Sequence, residues 1–156
     1  YCEQMIKNYA AERNIQYELL RLGHVFGAGE EKYKKAIPVM IKNALANQNL
    51  KIYGDGEARR TYMYVEDTAQ AIVDSIELQG SEIINIVGDE AISVNRLAQM
   101  IIQQTGTDIE IEHYSNCSPN RNLFFDNRKM KSLLLNKFTP FTLGLQREID
   151  YMRKIK

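Results

Sequence analysis

Apolar Met5, Ile6, Tyr9 and Ala10 recur at helical spacing within residues 3–13, and no capping residue opens the segment, which predicts a helix already under way where the chain begins. Residues 16–25 carry Tyr17, Leu19, Leu20, Leu22 and Val25, a nearly continuous apolar run that predicts one buried strand leading into the loop Gly27-Ala28-Gly29. Ile37, Val39, Met40, Ile41, Ala44 and Leu45 predict a helix over 37–46, with Pro38 in its first turn, where a missing N–H costs nothing. A short strand at 50–53, the turn Gly54-Asp55-Gly56 and a second strand at 62–65 follow. The period then changes: Ala69, Ile72, Val73 and Ile76 form one helical stripe, with Gly80 as the stop. After a β-branched strand at 83–87, Ser93 is placed to cap a helix bearing Leu97, Met100 and Ile101, which Gly106 ends. A strand at 109–111, a loop at 114–122 and two short helices complete the chain, the first with Met130, Leu133 and Leu134, the second with Leu145, Ile149 and Met152. Strands alternating with helices predict an α/β fold with parallel pairing.

Composition narrows the possibilities. The 156 residues, 44% hydrophobic and 26% charged, suffice for the core of one ordinary domain. Twenty basic residues balance twenty acidic ones, so no global field exists to hold a nucleic-acid backbone or an acidic membrane, and a bound anion must be gripped by a few local cations. No leader and no run of about 18 apolar residues is present, which predicts neither a secretory nor a transmembrane segment. A chain opening on Tyr1 rather than Met is expected to be a piece of a longer one. Cys2 and Cys117 lie far apart, with no Cys-x-x-Cys or His-x-x-His spacing, so neither a disulfide framework nor a zinc site is expected, and a reducing compartment is.

No Gly-x-Gly-x-x-Gly, phosphate loop or Gly-x-Ser-x-Gly elbow is present. Gly27-Ala28-Gly29 is half of a dinucleotide pattern, and its plainer reading is a turn after a buried strand. His24 and His113, lacking a third ligand, suggest structural rather than metal-binding roles. The informative stretch is 52–67, Ile-Tyr-Gly-Asp-Gly-Glu-Ala-Arg-Arg-Thr-Tyr-Met-Tyr-Val-Glu-Asp. A flexible glycine turn there would bring Tyr53 near Arg60, a workable way to stack a base and bind a phosphate; the competing reading is a surface hairpin with a solvated arginine pair.

Taken with Leu20-Arg21-Leu22-Gly23-His24-Val25-Phe26-Gly27, with residues 84–94 and with Asp126-Asn127-Arg128-Lys129, this stretch resembles the extended short-chain dehydrogenase/reductase family, in particular its NAD(P)-dependent nucleotide-sugar epimerases and dehydratases. The resemblance implies the C-terminal portion of a Rossmann-type α/β protein. Residues 1–30 would end the Rossmann-like half, and 31–156 would form the smaller mixed α/β substrate-binding domain. It also implies NAD or NADP as cofactor, bound mainly by upstream residues, and a Tyr-x-x-x-Lys pair on the helix that residues 3–13 continue. Tyr1 has Met5 four places on, so it is not that tyrosine, and no catalytic residue is assigned within this chain; Glu3 matches the acidic residue that commonly follows the lysine.

By the same resemblance Arg60 pairs with a substrate diphosphate, Tyr53 packs on the base, Asn85 lies on the phosphate side, and Arg121 is a second phosphate arginine. Gly23, His24 and Val25 lie on the cofactor side, with His24 also beside the substrate. The implied partners are a nucleotide-diphosphate sugar and a second copy in a homodimer, with no nucleic acid and no membrane, in the cytoplasm. The sequence departs from the family twice: His24 stands where many relatives have Asn, and Thr61 where Asp usually follows the arginine. Those departures keep open a noncatalytic nucleotide-sensing or dimerisation module on the same fold.

Overall fold

A computed structural model describes residues 1–115 and 121–155. Helix α1 (Cys2–Arg13) leads through Asn14, left-handed at φ 51°, to strands β1 (Glu18–Leu22) and β2 (His24–Phe26). A single 3-10 turn (Glu30–Lys32) precedes α2 (Ala36–Leu45), β3 (Leu50–Tyr53), β4 (Arg59–Tyr64) and α3 (Val65–Ser75). Then come β5 (Glu82–Ile86), β6 (Ala91–Ser93), α4 (Val94–Thr105), β7 (Ile111–Tyr114), α5 (Arg128–Leu133) and α6 (Phe141–Lys154). The expected α/β architecture is present, and parallel pairing dominates. β1 pairs with β5, β2 with β4 and β3 with β7, all parallel, while β6 runs antiparallel on the other side of β4.

β4 organises the interior because alternate residues of a strand face opposite ways. Tyr64 joins a core built by α2, β3, α4 and α6, with Ile41, Leu50, Leu97, Leu145 and Ile149 fully buried. Met63 enters a second cluster with Ala71, Ile84, Ile86 and Met130. The capping residues of α4 behave as predicted: Ser93 Oγ accepts from Arg96 N at 3.2 Å, and Gly106 ends the helix at φ 69°.

Several local expectations are corrected. The run 16–25 is two strands interrupted at Gly23, whose N–H donates to Ile86 O at 3.0 Å, and Leu22 is exposed. Residues 50–53 and 59–64 do not form a hairpin, since each takes a partner distant in sequence. Val65 opens a helix rather than closing a strand, and that helix ends at Ser75, before Gly80. Its apolar stripe faces outward: Ile72, Val73 and Ile76 are exposed, while Thr68, Ala71 and Ser75 are buried. The strand expected at 109–111 lies at Ile111–Tyr114, and α6 is a full 14-residue helix. Among the described residues no helix is long and apolar enough to cross a membrane.

Candidate functional site

β4, the central strand of the β2–β4–β6 sheet, gathers the predicted cations. Parallel register sets His24 beside Tyr62, ring centroids 5.9 Å apart, and Arg60 lies two residues earlier on β4. Arg60 Nη1 donates to Arg59 O at 2.9 Å and to Arg121 O. The segment carrying Arg121 is docked there by backbone: Leu123 bridges Arg60, its N–H donates to Arg59 O at 3.2 Å, and Asn122 Oδ1 accepts from Arg59 N at 2.9 Å. The guanidinium of Arg60 therefore meets the main chain of Arg121, 61 positions away. Among the described residues the Nε and Nη2 hydrogens of Arg60 have no partner.

Electrostatics fit this grouping. Desolvation, then Arg60, then Lys35 hold the His24 imidazole below its ordinary pKa, so the ring is neutral near pH 7. Burial raises the Tyr62 phenol, Arg60 opposes that, and Glu30 adds to it. A cleft of about 120 Å³ that Tyr62 helps to line also carries Asp67, Asp89 and Glu90, carboxylates that disfavour a diphosphate.

The remaining predicted residues are dispersed. Tyr53 is 66% exposed at the end of β3, paired with Tyr114 at a ring separation of 5.8 Å, in a sheet separate from that of Arg60. The turn after it is fastened rather than flexible. Asn95 Nδ2 donates to Asp55 O at 2.8 Å and to Glu57 Oε1 at 2.7 Å, Asn95 N donates to Gly56 O at 3.0 Å, and a Cβ on Gly56 would lie 2.0 Å from Asn95 Oδ1. His113 Nδ1 donates to Gly54 O at 3.0 Å, a structural role. Asn85 spends its amide on Asp126 O at 3.0 Å and so anchors the start of α5. His24 and Val25 start β2, with Gly23 just before it; β2 pairs only with β4 among the described strands and leaves its outer edge open.

Thr61 is buried, its hydroxyl without a partner, on the strand face opposite Arg60. Asn95 and Lys35 escaped sequence reasoning. Asn95 lies two residues past the Ser93 cap, a position that could have drawn notice, whereas Lys35 is one lysine in a run. Cys2 is an exposed free thiol and Cys117 lies outside the described residues. Among the described residues no cluster of His, Cys, Asp and Glu could hold a metal ion.

Comparison with known proteins accords with this fold. The UDP-N-acetyl-alpha-D-glucosaminuronate decarboxylase of Bacillus cytotoxicus is 28% identical over 165 aligned positions, covering 99% of this chain and 51% of the relative. The structure of UDP-glucose 4-epimerase with UDP-glucose from Thermotoga maritima superposes with TM-score 0.88 at 26% identity, over 98% of this chain and 51% of that one. The UDP-glucuronic acid 4-epimerase of Bacillus cereus, in complex with UDP-glucuronic acid and NAD, gives TM-score 0.85 at 26% identity, over 99% and 50%. The chain thus spans about half the length of the relatives it matches. The sequence profile of the NAD dependent epimerase/dehydratase family matches residues 1–87, and with the α/β architecture and ordered motifs in agreement, the chain belongs to that family.

Proposed function

We propose that this chain is the substrate-binding part of an NAD(P)-dependent nucleotide-sugar epimerase or dehydratase. One observation carries the reading: on β4 the Arg60 guanidinium holds the main chain of Arg121 and acts on a neutral His24 of the neighbouring β2. The Arg60 guanidinium supplies the planar donors that phosphate oxygens favour, within a chain that has no overall charge, and Arg121 would add a second. Tyr53, exposed and already paired with Tyr114, offers an aromatic face for the base. Residues 31–156 would act as the substrate domain and 1–30 as the end of the cofactor half.

NAD or NADP would meet the open outer edge of β2 at His24 and Val25, with Gly23, held to Ile86 O through its N–H, just before it. When bound, the cofactor supplies hydride acceptance and return at the sugar. This chain's own residues hold the diphosphate, orient the sugar, and set a neutral imidazole beside it. Catalytic proton transfer is assigned to upstream residues of the parent. The exposed Met5, Ile6 and Tyr9 of α1, with Ile72, Val73 and Ile76 of α3, would be covered by that upstream half or by a homodimer partner. A cytoplasmic setting belongs to the same reading.

Calorimetric titration with UDP-glucose and UDP-glucuronic acid tests the assignment. Arg60→Ala is expected to weaken binding by roughly 1–3 kcal/mol, the cost of a lost charged hydrogen bond. An affinity unchanged by that substitution overturns it.

A further inference from the structure

Glu148 lies on the inner face of α6, 1% exposed, and neither carboxylate oxygen has a hydrogen-bond partner. Glu30 and Glu31, in the 3-10 turn after β2, each bury an unpartnered Oε2. Their other oxygens are engaged: Glu30 Oε1 takes Lys35 Nζ at 2.6 Å, and Glu31 Oε1 accepts from Tyr151 Oη at 3.5 Å. The charged groups acting on Glu148 are Glu30, Glu31 and Lys35, whereas α2 and α4 bring apolar Ile41, Ala44, Leu97 and Ile101 to the same core. A carboxylate ion without a partner is too costly in such a place, so Glu148 keeps its proton. A neutral acid is a donor, and the nearby acceptors left empty are the Oε2 atoms of Glu30 and Glu31.

We propose that Glu148 is a positioning residue for the His24 side of the site. It shares its proton with Glu30 and Glu31, directly or through one buried water, and so latches the 3-10 turn to α6. The latch keeps Glu30 in place, Glu30 holds Lys35, and Lys35, after burial and Arg60, helps to keep His24 neutral. This inference rests on reading His24 and Arg60 as the substrate side.

Hydrogen exchange of the amides of residues 30–35, corrected for intrinsic rate and followed from pH 6 to 9.5, tests the latch. In the unmodified protein, protection is expected to fall roughly tenfold or more as Glu148 ionises, a tenfold change being one pH unit of ionisation. In Glu148→Gln, a neutral donor at every pH, protection stays flat. Glu31→Gln, which removes one repelling carboxylate and leaves Glu148 in place, shrinks the fall and serves should Glu148→Gln not fold. Flat protection in the unmodified protein, or the same slope in Glu148→Gln, overturns the proposal.

The link to the site is read separately, from the ring proton shifts of His24, one of only two histidines. Glu30→Gln releases Lys35 and raises the His24 midpoint toward its ordinary value, whereas Glu148→Gln leaves it in place. An unmoved midpoint in Glu30→Gln overturns the positioning role. Neither readout involves nucleotide-sugar binding, so loss of the latch leaves the substrate assignment standing, and loss of that assignment leaves the latch.

Discussion

Glu148→Gln carries a stability signature that follows from the burial of Glu148 beside Glu30 and Glu31. The substitution keeps the shape and donor of a neutral acid and deletes its titration. Burial, then Glu30 and Glu31, push the Glu148 carboxyl from 4.5 up to about 8, with Lys35 opposing. Between those values the folded chain holds a proton that the unfolded chain has released. Stability must therefore fall as pH rises through that window and level off above it. One such proton is worth about 1.4 kcal/mol per pH unit, so the window amounts to at most roughly 5 kcal/mol, less what water entering the turn relaxes. Urea denaturation at pH 5, 6, 7 and 8, followed by circular dichroism because the chain has no Trp, yields the stability difference between variant and parent. Groups common to both cancel, including Glu3, Glu112 and Asp126, whose lowered pKa values give slopes of the opposite sign. The variant should gain on the parent with each unit of pH and stop gaining above about 8. Parallel stability curves would refute the reasoning, for they would mean that Glu148 is ionised, solvated or paired in the folded chain.

Gly88→Ala places a Cβ 2.0 Å from Tyr62 O, a backbone clash that must part β4 from the exit of β5, so a loss of roughly 1–3 kcal/mol is expected in urea denaturation together with a shifted Tyr62 ring signal. Asn95→Ala removes both side-chain bonds to the 54–57 turn, and amide exchange there should quicken with a stability loss of about 1–2 kcal/mol. A diphosphate bound beside His24 would offset Arg60 and Lys35 and raise the imidazole pKa, so calorimetric affinity for UDP-glucose should strengthen as pH falls from 7.5 to 5.5, whereas His24→Gln should lose that dependence.

Features set by neighbours in sequence were legible, and those set by distant partners were not. Ser93 and Gly106 declare the ends of α4 because capping bonds span three or four residues. The 54–57 turn looked flexible because the residue that fastens it, Asn95, comes some 40 positions later. The stripe of Ile72, Val73 and Ile76 has the correct period for a helix, but period does not say which surface the stripe meets, and here it faces away from the chain's own core. Arg60 and Arg121 were both named from motif position, yet their meeting depends on the parallel bridge at Leu123, which no local pattern announces. Glu148 did leave a trace. It falls at the helical spacing of Leu145, Ile149 and Met152, where an apolar residue is expected, and a carboxylate on such a face asks for a reason.

The exchange of the usual Asp for Thr61 left two outcomes open, an arginine freed for phosphate or one poorly oriented, and the geometry of β4 bears on both. Successive side chains on a strand point to opposite faces, so Thr61, buried on the inner face, was never placed to hold the guanidinium of Arg60. The backbone holds it instead, through the carbonyls of Arg59 and Arg121. Carbonyl acceptors fix the plane of a guanidinium as a carboxylate does, but they carry no net charge and do not titrate. Arg60 is thus both oriented and uncompensated. A neighbouring carboxylate at about 4 Å would cancel on the order of 4 kcal/mol of its attraction for an anion at a protein surface. Under the proposed function, sparing that cancellation is what would let a chain of zero net charge present a local site for a diphosphate.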